Sequence, residues 1–225
     1  SSIWNCPTWW IDRLQNDHPH QWQAILEQNQ IKAPLTLRVN LKKITLAQYK
    51  EQLEQHSIAY TQVGPIAIAL ADALPVERIP GFMQGQVSVQ DAGAQWAVDC
   101  LLDACHLTKN SVILDACAAP GGKSTLLANY FKNGLVVANE TIKSRNAILE
   151  ENSIRWGSDH IVVTQNDPSH FKALPNFFDF IVADAPCSGS GMFRKDPQAI
   201  QEWSEENVLH CSQRQTRIIE ESNTA

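Results

Sequence analysis

Val112-Ile113-Leu114-Asp115, followed by Ala116-Cys117-Ala118-Ala119-Pro120-Gly121-Gly122-Lys123, decides how this chain is read. A short apolar run that ends in a carboxylate reads as a buried strand, and the Pro-Gly-Gly that follows breaks it. Ser124–Phe131 then reads as a helix. The same alternation continues downstream with strand Leu135–Asn139, helix Ser144–Trp156, and strands Ile161–Thr164 and Phe178–Ala183. A helical stretch from Ser204 to Glu221 closes the pattern. Upstream, strand Val87–Asp91 leads into helix Ala92–Cys105. Strands alternating with helices predict parallel βαβ units in a doubly wound α/β sheet, here over residues 86–225.

Residues 1–85 read differently. Trp9-Trp10-Ile11, Leu14, Trp22, Ile25 and Leu26 recur at helical spacing within 1–32, interrupted by Asp17-His18-Pro19-His20. The aromatic residues of this stretch are expected to pack as core. Leu35–Asn40 alternates as a strand, Thr45 caps a helix reaching His56, and Ala59–Val63 and Ile66–Leu70 are two further strands. A β-α-β-β order of this kind predicts a small α+β domain ending near Ile79-Pro80-Gly81.

Bulk properties narrow the function classes. An apolar fraction of 44% with 19% charged residues is that of a soluble globular chain. No apolar run is long enough to span a bilayer, and Ser1-Ser2-Ile3-Trp4-Asn5 has neither part of a secretory signal. The chain lacks an initiating Met, so an amino terminus further upstream is expected. The six cysteines include no Cys-x-x-Cys pair, which argues against a disulfide framework or a metal site and for reduced thiols in the cytoplasm. A net charge of −6 gives no global attraction for a polyanion. Nucleic-acid binding would rest on local cations such as Arg38, Lys42, Lys43, Lys143, Arg194 and Lys195, whose scatter equally fits a solvated surface.

Ligands of open α/β sheets sit beyond the carboxyl ends of strands. The loop Asp115–Lys123 lies at such an end. Gly121 and Gly122 allow close backbone approach, and the helix after them presents free N–H groups. Glu140 ends the next strand about 20 residues on, where an acidic side chain can accept from ribose hydroxyls. Gly-Gly-Lys-Ser is not a phosphate loop, because Cys117 stands where the first glycine of Gly-x-x-x-x-Gly-Lys-Ser belongs. With Asp167 and Asp184 at two further strand ends, a nucleoside-type cofactor is expected. Cys187 follows Pro186 and precedes Ser188-Gly189-Ser190-Gly191, so its thiol is expected on an accessible loop, with Asp184 placed to hydrogen-bond a base edge.

These residues carry a resemblance. Asp115–Lys123 is similar to the S-adenosylmethionine loop of the RNA cytosine-5 methyltransferases of the Nol1/Nop2/Sun group, the bacterial 16S ribosomal RNA members in particular. Asp184-Ala185-Pro186-Cys187-Ser188-Gly189 resembles their catalytic loop, and Arg194-Lys195-Asp196-Pro197 its continuation. The resemblance implies a Rossmann-like class I methyltransferase sheet over residues 86–225, preceded by a small α+β RNA-binding domain within residues 1–85. It implies S-adenosylmethionine held by Cys117, Ala118, Ala119, Pro120, Gly121, Gly122 and Lys123, with Glu140 on the ribose, Asp167 near the adenine and Asp184 near the methionine end. It implies a ribosomal RNA substrate contacted by Arg38, Lys42, Lys43, Arg194 and Lys195, and no metal.

The chemistry implied is covalent catalysis. A thiolate adds to C6 of an unstacked cytosine, and C5 of the resulting enamine attacks the methyl group. In this group the cysteine after proline, here Cys187, assists product release, Asp184 steadies the ring near N3, and the nucleophile belongs to a later Thr-Cys-Ser. The 225 residues contain no Thr-Cys-Ser, and Cys211, preceded by His210 in a helical context, does not match it. The expectation is therefore a fragment whose sheet lacks its carboxyl-terminal strands. The alternative is a cofactor- and RNA-binding remnant without turnover.

Overall fold

The computed structural model describes residues 3–196 and 198–222. Pro197, the last residue of the Arg194–Pro197 run, lies outside the described residues, as do Ser1, Ser2 and residues 223–225. The chain forms two compact units. One comprises residues up to Ala33 together with Cys187–Leu209, the other Pro34–Pro186 together with the chain from His210 onward.

In the first unit, α1 (Thr8–Asp17) and α2 (Trp22–Gln30) bury Ile11, Leu14 and Leu26 against Trp4, Trp10, Trp22 and Ile25. The tryptophans therefore act as packing groups. Trp10 meets Phe193 edge-on at 5.1 Å, and Trp9 stacks on Trp203 at 4.7 Å.

The second unit contains two sheets. The first is antiparallel, in the order β2-β3-β1-β4, from β1 (Leu35–Val39), β2 (Tyr60–Gln62), β3 (Ala67–Leu70) and β4 (Val87–Val89). Helix α3 (Leu46–Gln55) opens with a capping box in which Thr45 and Gln48 satisfy each other's backbone N–H groups. It packs Tyr49 and Leu53 against Leu37, Val39, Ile68 and Val87. In β1 the alternate residues Thr36 and Arg38, and Asn40 just beyond the strand, are buried as well. Both faces of this strand are thus covered, although its alternation reads as one wet face.

The second sheet is parallel, in the order β7-β6-β5-β8, from β5 (Val112–Asp115), β6 (Leu135–Asn139), β7 (Ile161–Thr164) and β8 (Phe180–Val182). Period-two alternation divides its core. Ile113 and Val136 pack with Val98 of α4 (Ala92–Ala104) and with Leu126 and Leu127 of α5 (Gly122–Tyr130). Leu114 and Val137 face Phe171 and Phe178. Ala138 meets Leu149 of α6 (Lys143–Trp156).

The chain runs outward from β5 to β6 and β7, then returns to pair β8 on the other side of β5. Crevices form at such switch points, outside the carboxyl ends of the strands. Register aligns those ends, Asp115 pairing with Ala138 and Val182, and Asn139 with Thr164. No helix among the described residues is long and apolar enough to cross a membrane.

Candidate cofactor and catalytic site

The loop after β5 is shaped by its own backbone. Ala119–Pro120 is cis, and Gly121 sits at φ +105°, a conformation that side chains disfavour. A Cβ at Gly121 would lie 3.1 Å from Leu149 Cδ1, so glycine suits both the turn and the packing of α6. Gly121 N–H donates to the Ala118 carbonyl (2.7 Å), and Ala118 N–H to the Asn139 carbonyl (2.9 Å). Asp115, fully buried beneath the loop, accepts from Ser124 Oγ at 2.7 Å through Oδ2. Its Oδ1 has no partner in good hydrogen-bonding geometry, the Cys117 amide contributing only weakly. Burial pushes this carboxyl up to about 6, against the opposing effects of Ser124 and Lys123.

Glu140 is almost fully buried at the end of β6. Its Oε1 accepts from Ile142 N–H (3.0 Å), and its Oε2 lies 3.3 Å from Arg145 Nη1. Arg145 also donates to the Ala119 carbonyl at 3.0 Å, which ties the loops after β5 and β6 together. Asp167, after β7, accepts from the Ser169 amide (3.1 Å) and hydroxyl (2.7 Å) through Oδ1, and from Arg217 through Oδ2. Arg217 first, then Ser169, hold its carboxyl down at about 2. Asp184, after β8, is exposed and pairs with Lys123 Nζ at 2.5 Å. The Cys117 thiol is raised to about 11, mainly by burial and then by the carboxylates of Asp115, Glu140 and Asp184. It is therefore a protonated lining group rather than a nucleophile.

A cavity of about 310 Å³ opens over these strand ends, lined by Cys117, Glu140, Arg145, Asp167 and Pro186, with Arg214, Arg217 and Ile218 from α8 (Glu205–Ser222). A smaller recess of about 140 Å³ shares Cys117 and adds Ala118, Ala119, Pro120, Gly122, Lys123 and Asp184. The sequence-derived residues Cys117–Pro120, Gly122, Lys123, Glu140, Asp167 and Asp184 thus gather around one crevice. Gly121 acts through the turn. Cys187 is exposed and begins the segment that counts with the first unit.

Sequence reading missed three contributors. Asn139, fully buried, accepts from Thr164 Oγ1 and the Asn166 amide (2.9 Å each) and donates to the Asn166 carbonyl (2.9 Å), so it fastens the loop that carries Asp167. An Asn at the end of an apolar strand was the available signal. Arg145 sits five residues after Glu140, within reach of its carboxylate. Arg217 had no local signal, because its partner Asp167 is remote in sequence.

Of the cations assigned to RNA, Arg38 is corrected. It has no exposed surface, and its guanidinium donates to Gln90 Oε1 (2.7 Å), the Gly122 carbonyl (2.6 Å) and Thr125 Oγ1 (2.5 Å), 4.4 Å from the Trp156 ring centroid. Burial lowers it to about 9, so it stays cationic at neutral pH. A group without solvent contact cannot meet a phosphate. Arg38 instead braces the start of α5, because the polar face of β1 packs on α5 and α6 rather than on water. Lys42 and Lys195 are exposed. Lys43 Nζ donates to the Gln84 and Arg155 carbonyls (2.8 Å each), and Arg194 Nε donates to the Ile31 carbonyl at 2.7 Å.

Residues 103–224 match the family model described as 16S rRNA methyltransferase RsmB/F, and residues 6–77 match its ferredoxin-like domain. The chain is 35% identical over 198 residues to the probable ribosomal RNA small subunit methyltransferase B of Coxiella burnetii, covering 85% of this chain and 45% of that protein. It is 34% identical over 219 residues to ribosomal RNA small subunit methyltransferase B of Photorhabdus laumondii, covering 95% of this chain and 50% of that protein. The chain thus spans about half the length of the curated relatives it matches. A methyltransferase homolog protein from Pyrococcus horikoshii shares the fold, with a TM-score of 0.79 at 23% identity over 97% of this chain and 69% of that one. The sheet of class I methyltransferase type, the small antiparallel sheet before it and the family match agree, and the chain belongs to the 16S rRNA methyltransferase RsmB/F family.

Proposed function

We propose that this protein is an S-adenosylmethionine-dependent methyltransferase that forms 5-methylcytosine in RNA, with ribosomal RNA as its substrate class. The observation that carries the reading is the set of three carboxylates, Glu140, Asp167 and Asp184, at successive strand ends around one crevice. The family and the names of its relatives support the reaction class.

The residues fit the cofactor. A carboxylate offers about four lone-pair sites. Glu140 has used one on Ile142 N–H and faces Arg145 with another, which leaves capacity for ribose hydroxyls. Asp167 retains capacity beside Ser169 and Arg217 for an adenine amino group. A cavity of about 310 Å³ extended by a recess suits a ligand of nucleoside size, since small-molecule sites begin at about 300 Å³. When bound, the cofactor supplies a methyl group made electrophilic by its sulfonium. Cys117–Lys123 hold its methionine end, and the negative field of Asp184 and Glu140 suits its positive charge.

Toward the base, Asp184 hydrogen-bonds the ring near N3, oriented by Lys123 Nζ. The attacking thiolate would form an S–C6 bond and push electrons onto C5, C5 would take the methyl group as its bond to the cofactor's sulfur breaks, and a base would then remove the C5 proton, whose electron pair restores C5=C6 and expels the thiolate. Cys187 assists that release, and the attack itself is assigned to the family's Thr-Cys-Ser. The expected boundary at residues 85 and 86 moves beyond β4, because Val87–Val89 pairs with β1: the residues through β4 serve as the RNA-binding part and those after it as the methyltransferase part. Lys42, Lys43, Arg194 and Lys195 contact phosphates, Arg38 being withdrawn from this set. A cytoplasmic location follows from the substrate class.

Incubation of the chain with methyl-labelled S-adenosylmethionine and 16S ribosomal RNA, with calorimetry for S-adenosylhomocysteine, tests the reading. Label in 5-methylcytosine supports it. Binding of both ligands without incorporation assigns the chain the alternative role of a binding remnant. No binding of S-adenosylhomocysteine refutes the cofactor site.

A further inference from the structure

The loop that carries Asp184 has no regular structure between β8 and a short 3-10 turn at Ser190–Met192. Among the described residues, Lys123 and Gln215 reach it with their side chains. Lys123 pairs with Asp184, whose side chain is 62% exposed, so water screens that contact. The second is Gln215 on α8. Its amide Nε2 donates to the carbonyl of Pro186 at 2.9 Å, in a partly buried setting. The next residue in the chain is Cys187.

Helix α8 is fastened independently of Gln215. Cys211 and Ile218 are buried, and Arg217 is bound to Asp167. One turn of α8 therefore lines the cavity with Arg214, Arg217 and Ile218 while reaching the loop with Gln215. A neutral amide is the right donor here, since it satisfies a carbonyl without adding a third cation beside Arg214 and Arg217.

We infer that Gln215 is a positioning residue, which sets the loop Asp184–Cys187 through the Pro186 carbonyl. This rests on the proposed function, since the loop matters catalytically only if the crevice holds the cofactor and a base. Gln215 is only half-buried, and its truncation opens no core cavity. The loss should be felt at the loop and not in the fold.

The test uses the full chain with Gln215→Ala and Gln215→Glu, the second because a carboxylate cannot donate to a carbonyl. Iodoacetamide labelling is followed at each cysteine by peptide mass spectrometry. Cys100, exposed on α4, is the internal standard. Removing one hydrogen bond should change the Cys187 rate about fivefold relative to Cys100 in both variants. The thermal midpoint should stay near that of the unsubstituted chain. An unchanged Cys187-to-Cys100 ratio in both variants overturns the inference, as does a parallel rise at both cysteines with a lowered midpoint. Failure of the unsubstituted chain to bind S-adenosylhomocysteine overturns the proposed function itself, whereas binding with an unmoved ratio overturns only the role of Gln215.

Discussion

Replacing Asp115 by Asn should stabilise the protein at neutral pH relative to acid. Asp115 is fully buried, and among the described residues its only well-formed hydrogen bond comes from Ser124 and no cation pairs with it directly. Its carboxyl rises from 3.8 to about 6, chiefly through burial. A group whose folded pKa exceeds its unfolded value binds its proton more tightly when folded. Its contribution is full below the unfolded value and is lost as pH rises through the folded one. A rise from 3.8 to about 6 corresponds to about 3 kcal/mol, lost between about pH 4 and pH 6.5. Asn has the same shape and does not titrate. Urea unfolding of both proteins from pH 4 to pH 8 isolates the effect, because the other groups cancel in the difference. The stability of the Asp115 protein relative to Asp115→Asn should fall by about 3 kcal/mol as pH rises from 4 to 7, then stay level. A difference that is flat across this range would refute the burial argument. One that grows with pH would show that the loop stabilises the charged carboxylate.

Glu140→Ala should weaken S-adenosylhomocysteine binding about tenfold or more, since hydrogen bonds to a charged group are worth about 1.5–3 kcal/mol, and an unchanged calorimetric affinity would remove Glu140 from the ribose. Arg217→Ala should let the Asp167 carboxyl rise from about 2 toward the ordinary range, as read by carboxyl-carbon NMR. Its stabilisation, present above the unfolded value and lost as pH falls through about 2, should then shrink by no more than about 1 kcal/mol because the pair is partly exposed. For RNA, Lys42→Ala or Lys195→Ala should lower the slope of log affinity against log salt by about 1, while Arg38→Ala should lower the unfolding midpoint instead. A salt-independent affinity would show that the lysines are ordinary surface charge.

The alternation of strand and helix was legible because each element of the second sheet is bounded by its own punctuation, as Pro120-Gly121-Gly122 shows for β5 and α5. The positions of Glu140, Asp167 and Asp184 were legible for a related reason. In a parallel sheet the ends of successive strands converge, so residues far apart in sequence meet without pair-specific information. Arg38 was misread because alternation reports that one face of a strand differs from the other, not what covers the polar face. Here α5 and α6 cover it, and the guanidinium is met by Gln90, Gly122 and Thr125 from two later segments. Gln215 and Arg217 escaped for want of any local pattern. On a helix whose exposed face is rich in polar groups, nothing distinguishes those that reach Pro186 and Asp167 from those that meet water.

Site-resolved hydrogen exchange with and without S-adenosylhomocysteine tests whether a nucleoside cofactor lies across the carboxyl ends of β5, β6 and β7. Bound S-adenosylhomocysteine should slow exchange at the amides of Ala116–Ala119, Gly121–Lys123, Glu140–Ile142, Asp167 and Ser169, with α3 and the first sheet unaffected. Saturating ligand that protects none of these three loops, or protects a different surface, would contradict it.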